Sequence, residues 1–389
     1  MDVADIVIVL VLVLAAVHGL RLGALVQVLS FGGFFLGLTI GALVAGAVAP
    51  SLHDTTVRAA VALLLVLGLG LVLGVVGRVV GTIGGTAVRR VHLGMLDSVA
   101  GVGVAVVAAL VSVWLVANEL AQTQFTAVSS AVQRSAIIRA VDAVMPPLPD
   151  LFSKIQSFLG GTGFPPVFSQ LEPPPTKAPL PSVASANAAA APVLASTVKI
   201  LGTACGYLQE GSGFVVGTGL VVTNAHVVAG EPATQILVNG GSYNATVVLF
   251  TPTFDLAVLR TSAPLGTPVT LDPSTVGHGT TGAIVGYPED RTLTVGPAAV
   301  DGTITAQGRN IYNQGTVTRQ VYQIDARVEP GNSGGPLVVG SGVVVGVVFS
   351  RSTVYTNVGY ALASPGVLTR VDQAKGKTAR VGTGACVSG

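Results

Sequence analysis

The chain has 389 residues and a mean hydropathy of +0.72, far above that of a soluble globular protein, so part of it is expected to lie in lipid. With a formal net charge of only +2 the chain has no basic stripe, and aromatic residues make up only 5% of its sequence. Because nucleic-acid binding needs clustered positive charge or stacking aromatic side chains, nucleic-acid partners are excluded.

Four apolar runs occupy the first 120 residues, at about 5–20, 24–49, 59–81 and 98–118. Each run is close to or above the length that crosses a bilayer. Residues 1–120 are therefore predicted to form a membrane domain of four transmembrane helices, in contact with membrane lipid. The first run begins beside Asp2 and Asp5 instead of Lys or Arg, which argues against a cleaved signal peptide.

Arg residues in the short loops predict the orientation of these helices, because positive charge accumulates on the cytoplasmic side. One set of helix ends carries four of them, Arg21, Arg78, Arg89 and Arg90. The opposite set carries only Arg58. The N-terminus is therefore expected outside the cytoplasm, and four spans return the polar half of the chain to that side. We expect a multi-pass protein of the cell (inner) membrane whose polar half is periplasmic.

Residues 121–192 are predicted to connect the membrane domain to the rest of the chain. Their first part has apolar residues at helical spacing up to Val144 and stops at Pro146, which predicts an amphipathic helix. From Gly160 to Pro192 the composition shifts to Pro, Ala and Ser, which is typical of an extended linker. Such a segment is accessible to proteases, so self-cleavage in the linker is expected.

From about Val193 the chain consists of short runs of Val, Ile, Leu and Thr separated by turn residues. The clearest runs lie at 213–222, 234–238, 245–250, 256–260, 282–287, 336–340 and 342–349. Short strands with frequent turns predict an all-β domain over residues 193–389. Periodicity alone leaves a sandwich and a barrel as alternatives.

Two cysteines, Cys205 and Cys386, lie near the start and the end of this β-rich half. Their spacing favours one disulfide that closes the domain, for which chain entropy gives about 4 to 5 kcal/mol of stabilisation. Such a bond implies an oxidising compartment. The alternatives are two unrelated buried thiols, or a bond that also switches activity.

A serine between glycines is the most informative feature of the β-rich half. The segment GNSGGPL at 331–337 places Ser333 just before an apolar strand. A nucleophilic serine needs backbone N–H groups that converge on the developing oxyanion, and side chains would obstruct that approach. We expect Gly331 and Ser333 to supply these donors. Taken alone, the segment is also compatible with a plain Gly-rich turn.

Two upstream segments carry the partners that a nucleophilic serine requires. TNAHVV at 223–228 places His226 at the end of a strand, and FDLAVLR at 254–260 places Asp255 before a strongly apolar strand. A buried carboxylate is costly without a partner, so Asp255 is expected to face His226. In this arrangement His226 acts as general base towards Ser333 and Asp255 orients the imidazole. The chemistry needs no cofactor and no metal, and none is expected.

These motifs resemble the HtrA-type branch of the trypsin-like proteases. The resemblance rests on TNAHVV, DLAVL and GNSGGPL, with GYP at 286–288 and GYALAS at 359–364, and covers roughly residues 195–372. It implies an all-β, double β-barrel serine endopeptidase that hydrolyses protein or peptide substrates. HtrA-type enzymes usually continue into a PDZ domain, whereas a short tail with Cys386 follows here, so peptide-gated regulation is not implied.

The four-helix region resembles the CvpA (colicin V production) family. The combination of four spans, a linker, an HtrA-like protease and two distant cysteines resembles the acid-resistance periplasmic proteases of mycobacteria. This resemblance implies substrates in the cell envelope and a role in tolerating acid and oxidative stress.

Two other interpretations remain open at this point. The first is a membrane-anchored scaffold or binding protein with an inactive protease fold. The second is a small channel or transporter whose regulator is the protease, for which charges along an intramembrane path are expected. Arg78 is the charged residue well inside an apolar run, and it lies near a helix end, where its side chain can reach the interface.

Overall fold

The computed structural model contains an α-helical unit and an all-β unit. It describes residues 2–48, 55–90, 94–121, 131–145, 167–168, 171–204, 206–238, 240–352 and 354–387. The helical unit comprises Met1–Asn118 and Arg134–Val144, and the β unit comprises Glu119–Gln133 and Met145–Gly389.

The helical unit is built from long apolar helices. Its elements are α1 (Val3–Leu22), α2 (Ala24–Val48), α3 (Thr55–Arg90), α4 (Gly94–Ala121) and α5 (Ala136–Asp142). In the described part of the chain, four spans are long and apolar enough to cross a membrane, namely Val3–Leu22, Ala24–Ala45, Leu64–Gly85 and Gly94–Ala117. The predicted four-helix membrane domain is confirmed.

Helices α2 and α3 pack at very close range through glycines. A Cβ atom at Gly33 would overlap the carbonyl oxygen of Leu73, and one at Gly37 would overlap that of Leu69. Gly32, on another face of α2, has nothing within 4 Å of its Cβ position. Small residues one turn apart therefore let the two backbones meet, as is common between helices in lipid.

Acidic and hydroxyl side chains fix the start of α1. The Asp2 carboxylate accepts a hydrogen bond from Val3 N at 2.7 Å, and the Asp5 carboxylate accepts one from Asp2 N at 3.1 Å. Ser135 Oγ donates to Asp5 Oδ1 at 2.6 Å and also caps α5 by accepting from Ile138 N. The amphipathic helix predicted to end near Val144 is thus interrupted at Ser135, and its part at 122–130 lies outside the described residues.

The β unit consists of two barrels, which confirms the predicted double β-barrel. In the first, the strand order is β1-β2-β3-β6-β5-β4. These strands are β1 (Thr197–Ala204), β2 (Tyr207–Gly217), β3 (Leu220–Thr223), β4 (Thr234–Val238), β5 (Gly241–Thr251) and β6 (Leu256–Thr261).

The second barrel has the strand order β11-β8-β9-β10-β13-β12-β7, and an additional pairing of β11 with β12 closes it. Its strands are β7 (Thr270–Leu271), β8 (Thr281–Gly286), β9 (Thr294–Arg309), β10 (Thr316–Asp325), β11 (Pro336–Val339), β12 (Val343–Arg351) and β13 (Val358–Ala363). The barrels are accompanied by α6 (Val183–Ala190), α7 (Ala225–Val228) and α8 (Ser364–Ala374).

The strands differ from the predicted runs in two respects. The predicted run 213–222 contains a turn, with Gly219 at a positive φ of 67°, and therefore forms parts of both β2 and β3. Strands β9 and β10 are the longest of the second barrel but are rich in Thr, Gln and Gly, so hydrophobicity did not reveal them. Their cross-strand pairing with apolar neighbours holds them in the sheet.

The segment predicted as an extended linker contains a packed helix. Helix α6 lies within it because Ala favours helix and Ser182 caps the first turn by accepting from Ser185 N at 3.1 Å. Ala186 and Ala190 are fully buried in the apolar core of the barrels. Residues 173–175, all Pro, have no regular secondary structure, as expected.

The residues just before α6 are hydrogen-bonded to the second barrel. Ala178 N donates to Asp301 Oδ1 at 2.7 Å and to Asp325 Oδ2 at 2.8 Å, and Lys177 Nζ lies 2.9 Å from Asp325 Oδ1. Farther up the chain, Glu172 Oε2 accepts from Tyr360 Oη at 3.1 Å. Burial and the neighbouring Asp325 carboxyl raise the pKa of Asp301 to about 6. Residues 172–178 are thus anchored to the barrel surface.

Candidate active site

His226 and Asp255 meet at the end of the first barrel. His226 lies on α7, the short helix that follows β3, and Asp255 ends the turn before β6. His226 Nδ1 lies 2.8 Å from Asp255 Oδ2 and 3.0 Å from Oδ1, and His226 N donates to Oδ1 at 3.0 Å. The Asp255 side chain is fully buried and that of His226 is 10% exposed. The carboxylate therefore faces the imidazole and is shielded from water.

Asp255 has an uncommon backbone conformation that its neighbours maintain. Its φ is +63°, a region that Asp tolerates better than most residues. Asn224 Nδ2 donates to the Asp255 carbonyl at 2.8 Å, and Asp255 N donates to the Thr251 carbonyl at 2.8 Å. The TNAHVV segment thus supplies both the histidine and the amide that holds the aspartate in place.

Ser333 lies in a tight loop directly before β11 and is 4% exposed. Gly331, two residues earlier, has a φ of +93°, and a Cβ atom there would overlap the carbonyl oxygen of Tyr287. Glycine is therefore required at this position for both its conformation and its packing.

The N–H groups of this loop differ in whether they donate to a backbone carbonyl. Those of Asn332, Gly334 and Gly335 donate to backbone carbonyls, at 3.0, 2.8 and 2.9 Å. For the intervening N–H groups of Gly331 and Ser333, no backbone acceptor exists among the residues that the structure describes. Because buried N–H groups are rarely left unpaired, two such donors in one loop are suited to bind an anionic oxygen.

The β2 segment GSG at 211–213 connects this loop to the histidine segment. Ser212 Oγ donates to the Gly331 carbonyl at 2.7 Å, and Ser212 N donates to the Ser333 carbonyl at 2.8 Å. A Cβ atom at Gly211 would lie 2.7 Å from the Val227 side chain and 3.1 Å from the Ser333 carbonyl. The residue after His226 and the backbone of Ser333 therefore meet at Gly211.

Ser212 was missed in the sequence analysis. Its hydroxyl turns the Gly331 carbonyl towards β2 and also accepts from Tyr287 N at 2.9 Å. The signal was present in the sequence, since GSG is a serine between glycines within an apolar strand, the same pattern that identified Ser333.

The C-terminal tail packs against the residues that follow α7. Gly230 N donates to the Thr383 carbonyl at 3.0 Å, and a Cβ atom at Gly230 would lie 2.7 Å from Cys386 Sγ. Cys205 lies outside the described residues, so the predicted bond between the two cysteines stays a prediction. In the part of the chain that the structure describes, no cluster of three or more His, Cys, Asp or Glu could hold a metal.

A buried glutamate lies between this tail and the first barrel. Glu231 is 1% exposed, Thr234 Oγ1 donates to its Oε2 at 2.5 Å, and its Oε1 has no hydrogen-bond partner in the described part of the chain. Its carboxyl group packs against Gly202 of β1, and Thr383 Oγ1 donates to its carbonyl at 3.0 Å. Burial raises the pKa of Glu231 to about 7, and the Thr234 hydrogen bond opposes this only partly.

Two family models match separate parts of the chain. The trypsin-like peptidase domain matches residues 211–347, which include all three predicted triad residues. The colicin V production protein family matches residues 4–146, which include the four apolar spans.

Curated proteins and a solved structure match either the whole chain or about half of it. Serine protease Rv3671c of Mycobacterium tuberculosis is 36% identical over 99% of this chain and 98% of its own length. A probable periplasmic serine endoprotease, DegP-like, of Brucella suis is 36% identical over 43% of this chain and 33% of its own. The crystal structure of the active form of the Rv3671c protease matches with a TM-score of 0.54 and 36% identity, covering 56% of this chain and 97% of that one.

Replacing Glu231 by Gln is expected to change how the stability of the β unit depends on pH. The folded-state pKa of Glu231 is raised from 4.5 to about 7, so folding favours the protonated carboxyl, and this contribution is lost as pH rises through 7. At pH 8 the Glu231→Gln protein should be more stable than wild type by roughly 2 kcal/mol, and at pH 4.5 the two should be similar.

Pulse proteolysis of the β unit in urea would measure this difference, with Glu289→Gln as the control because the Glu289 side chain is half exposed. If the Glu231→Gln protein is destabilised equally at both pH values, the expectation is contradicted. The carboxyl group would then stabilise the fold through its hydrogen bond, and its ionisation at pH 8 would cost no stability.

Proposed function

Because this chain is a multi-pass membrane protein that belongs to the HtrA-type family of trypsin-like serine proteases, we propose that Ser333, His226 and Asp255 form its catalytic triad. The observation that carries this proposal is the contact between His226 Nδ1 and the fully buried Asp255 carboxylate at 2.8 Å. This is the arrangement that fixes the tautomer of a general base.

Each residue has one role in the proposed cleavage. With Nδ1–H donating to Asp255, Nε2 of His226 carries the lone pair and accepts the proton of Ser333 Oγ as that oxygen attacks the substrate carbonyl carbon. The same proton then passes to the leaving amine as the peptide bond breaks. Water releases the acyl group from Ser333 in the reverse sequence of proton transfers.

The oxyanion of the tetrahedral intermediate is proposed to bind the N–H groups of Gly331 and Ser333. Support comes from the loop geometry, in which these two donors lack a backbone acceptor within the described residues while the neighbouring N–H groups are paired. The Ser212 hydrogen bond to the Gly331 carbonyl keeps that oxygen from turning into the site. A donor placed in this way contributes about 2.7 to 4 kcal/mol to transition-state stabilisation.

The protease acts on proteins or peptides, and we propose that these lie in the cell envelope and include its own linker. Residues 172–178 are hydrogen-bonded to the second barrel, and a bound substrate must be extended in the active site. We therefore place self-cleavage before Val167. The stretch from Gly160 to residue 166 lies outside the described residues.

We also propose that the β unit is periplasmic and that Cys205 and Cys386 form a disulfide there. Support comes from the Arg distribution among the helices, from the periplasmic description of the DegP-like relative, and from the tail geometry. Cys386 lies beside Gly230, and the next residue, Glu231, packs on Gly202, three positions before Cys205. Cys386 and the residues shortly before Cys205 in the sequence thus lie on one side of the first barrel, which supports the proposed pairing.

Maleimide labelling of whole cells under denaturing conditions tests this pairing. We expect no labelling of either cysteine until a reductant is added, and labelling of the remaining thiol without reductant in the Cys205→Ser and Cys386→Ser variants. Labelling of wild-type protein before reduction would contradict both the bond and an oxidising location.

A role in acid and oxidative stress tolerance is proposed from the resemblance to acid-resistance proteases. Two buried carboxyls support an enzyme suited to mild acid, since the folded-state pKa values of Glu231 and Asp301 are raised to about 7 and about 6. Folding favours the protonated form of both groups, so the stability that they contribute at low pH is lost as pH rises through about 6 for Asp301 and about 7 for Glu231.

Replacing Ser333 by Ala should lower peptide hydrolysis by about a thousandfold or more, because the triad acts as a unit. The full-length Ser333→Ala protein should remain intact when incubated alone, while wild type accumulates a fragment cut in the linker. Peptide hydrolysis and mass spectrometry of the fragments measure both effects, and Ser341→Ala, at an exposed serine in the turn after β11, serves as control.

Cells carrying the same Ser333→Ala variant separate the enzyme from a scaffold. If proteolysis is the function, these cells should lose acid and oxidative stress tolerance. Unchanged tolerance with an inactive protein would favour the membrane-anchored scaffold instead.

A further inference from the structure

The side chain of Glu172 joins the anchored segment, residues 172–178, to the turn that follows β12. Ser352 Oγ donates to Glu172 Oε2, and Tyr360 Oη donates to the same oxygen at 3.1 Å. Ser352 is 9% exposed and Tyr360 is fully buried, so both donors are sheltered from water. Hydrogen bonds to a charged group are stronger than those between neutral groups, and low solvation strengthens them further. The Glu172 carboxylate therefore ties the anchored segment to β13 and to this turn.

Ser352 also organises the β12–β13 turn, of which the structure describes residues 352 and 354–357. Its Oγ accepts from Val354 N at 3.0 Å and from Tyr355 N at 2.7 Å. A hydroxyl has two lone pairs and one proton, and these two N–H groups occupy both lone pairs. The proton is donated to Glu172. Glu172 thereby fixes the orientation of the hydroxyl that holds both N–H groups of the turn.

The β12–β13 turn is connected at both ends to the part of the chain that carries Ser333. On the β12 side, Gly334 N donates to the Val348 carbonyl at 2.8 Å. On the β13 side, Ala326 N donates to the Asn357 carbonyl at 2.9 Å, and Ala326 lies in the segment that leads from β10 to Ser333. The turn and the proposed nucleophile therefore belong to one hydrogen-bonded framework.

A substrate that is cut at Ser333 must lie along the strand that leads to this turn. Because β11 and β12 are antiparallel, β12 continues past Val348 on the side where Ser333 lies. Extended peptides commonly bind beside such a strand. The turn begins four residues after Val348, which is about 13 Å along an extended chain and equals the span of roughly four substrate residues. Substrate residues near the cleaved bond therefore reach the β12–β13 turn.

We infer that Glu172 is a positioning residue for substrate binding, which holds the β12–β13 turn in place through Ser352. This inference rests on the proposed role of Ser333 as nucleophile. Because the proposed self-cleavage lies before Val167, the cleaved enzyme keeps Glu172 and this contact. A purely structural role would be different, since Glu172 would then only fasten the linker to the barrel and its loss would leave substrate binding unchanged.

The test compares substrate cleavage with chemical labelling of Ser333 in the full-length protein in detergent. Fluorescein-labelled casein, an unfolded protein, serves as the substrate and gives kcat and KM. A small fluorophosphonate reacts with an activated serine and does not extend along β12, so its rate of reaction reports the triad and not the turn.

Glu172→Ala should raise KM for casein about tenfold and leave kcat and the labelling rate within about twofold of wild type, because binding weakens while the triad stays assembled. Glu172→Gln keeps an amide oxygen that can accept from Ser352 and Tyr360, so KM should return most of the way to its wild-type value. Ser352→Ala should raise KM at least as much as Glu172→Ala, and the double variant no more than Ser352→Ala alone, since both changes break the same hydrogen bond.

Lys177→Met provides a matched control. Lys177 Nζ anchors the same segment through Asp325 Oδ1 at 2.9 Å, and Asp325 lies on β10 and not in the turn. Its loss therefore loosens the segment without removing a contact to Ser352. Because the Lys177 side chain is half exposed and its ion pair is weak, KM should stay within about twofold of wild type.

An unchanged KM in Glu172→Ala, or an equal rise in Lys177→Met, would overturn the inference. A labelling rate that falls as far as casein cleavage does would also overturn it, because Glu172 would then support the fold as a whole. If Glu172→Ala does not fold, Ser352→Ala decides alone, and an unchanged KM in that variant contradicts the inference. Failure of the proposed triad is separate from these outcomes, since it would appear as wild-type protein whose Ser333 the fluorophosphonate does not label.

Discussion

The contact between His226 and the buried Asp255 carboxylate is the interaction on which the rest of the β unit depends. A fully buried carboxylate is costly unless it is paired, and here its hydrogen bonds come from the backbone and ring of a single histidine. The surrounding segment also holds Asp255 in place, because Asn224 Nδ2 donates to its backbone carbonyl while its φ is positive.

Strand β2 joins the loop that carries Ser333 to this pair. Ser212 binds the loop through its Oγ and its N–H, and the neighbouring Gly211 allows the Val227 side chain and the Ser333 carbonyl to approach each other. A single strand of the first barrel thus sets the position of a loop that belongs to the second. The proposed active site therefore depends on both barrels.

The residues of the proposed site that the sequence predicted are those with a local pattern. Ser333 lies between glycines and His226 and Asp255 adjoin apolar strands, so each could be recognised from a few neighbours. Ser212 acts through a hydrogen bond to Gly331, more than 100 positions away, and such a contact cannot be recognised from a few neighbouring residues.

The elements of the fold that the sequence predicted are likewise those with a local pattern. The four apolar helices and the Val-rich strands were predicted because their pattern is continuous along the chain. Strands β9 and β10 were not, because their polar residues are held in the sheet by pairing with the apolar strands β8 and β13. Helix α6 was missed for another reason, since the composition of its segment was taken as a linker although its alanines favour a helix.

Reaction with a fluorophosphonate, followed by mass spectrometry of the peptides, tests the central claim most directly. Such a reagent modifies only a serine whose hydroxyl is activated by a neighbouring base. We predict a single adduct on Ser333 in the wild-type protein and its loss in the His226→Ala variant. An adduct on another serine, or equal labelling of Ser333 without His226, would contradict the proposed triad.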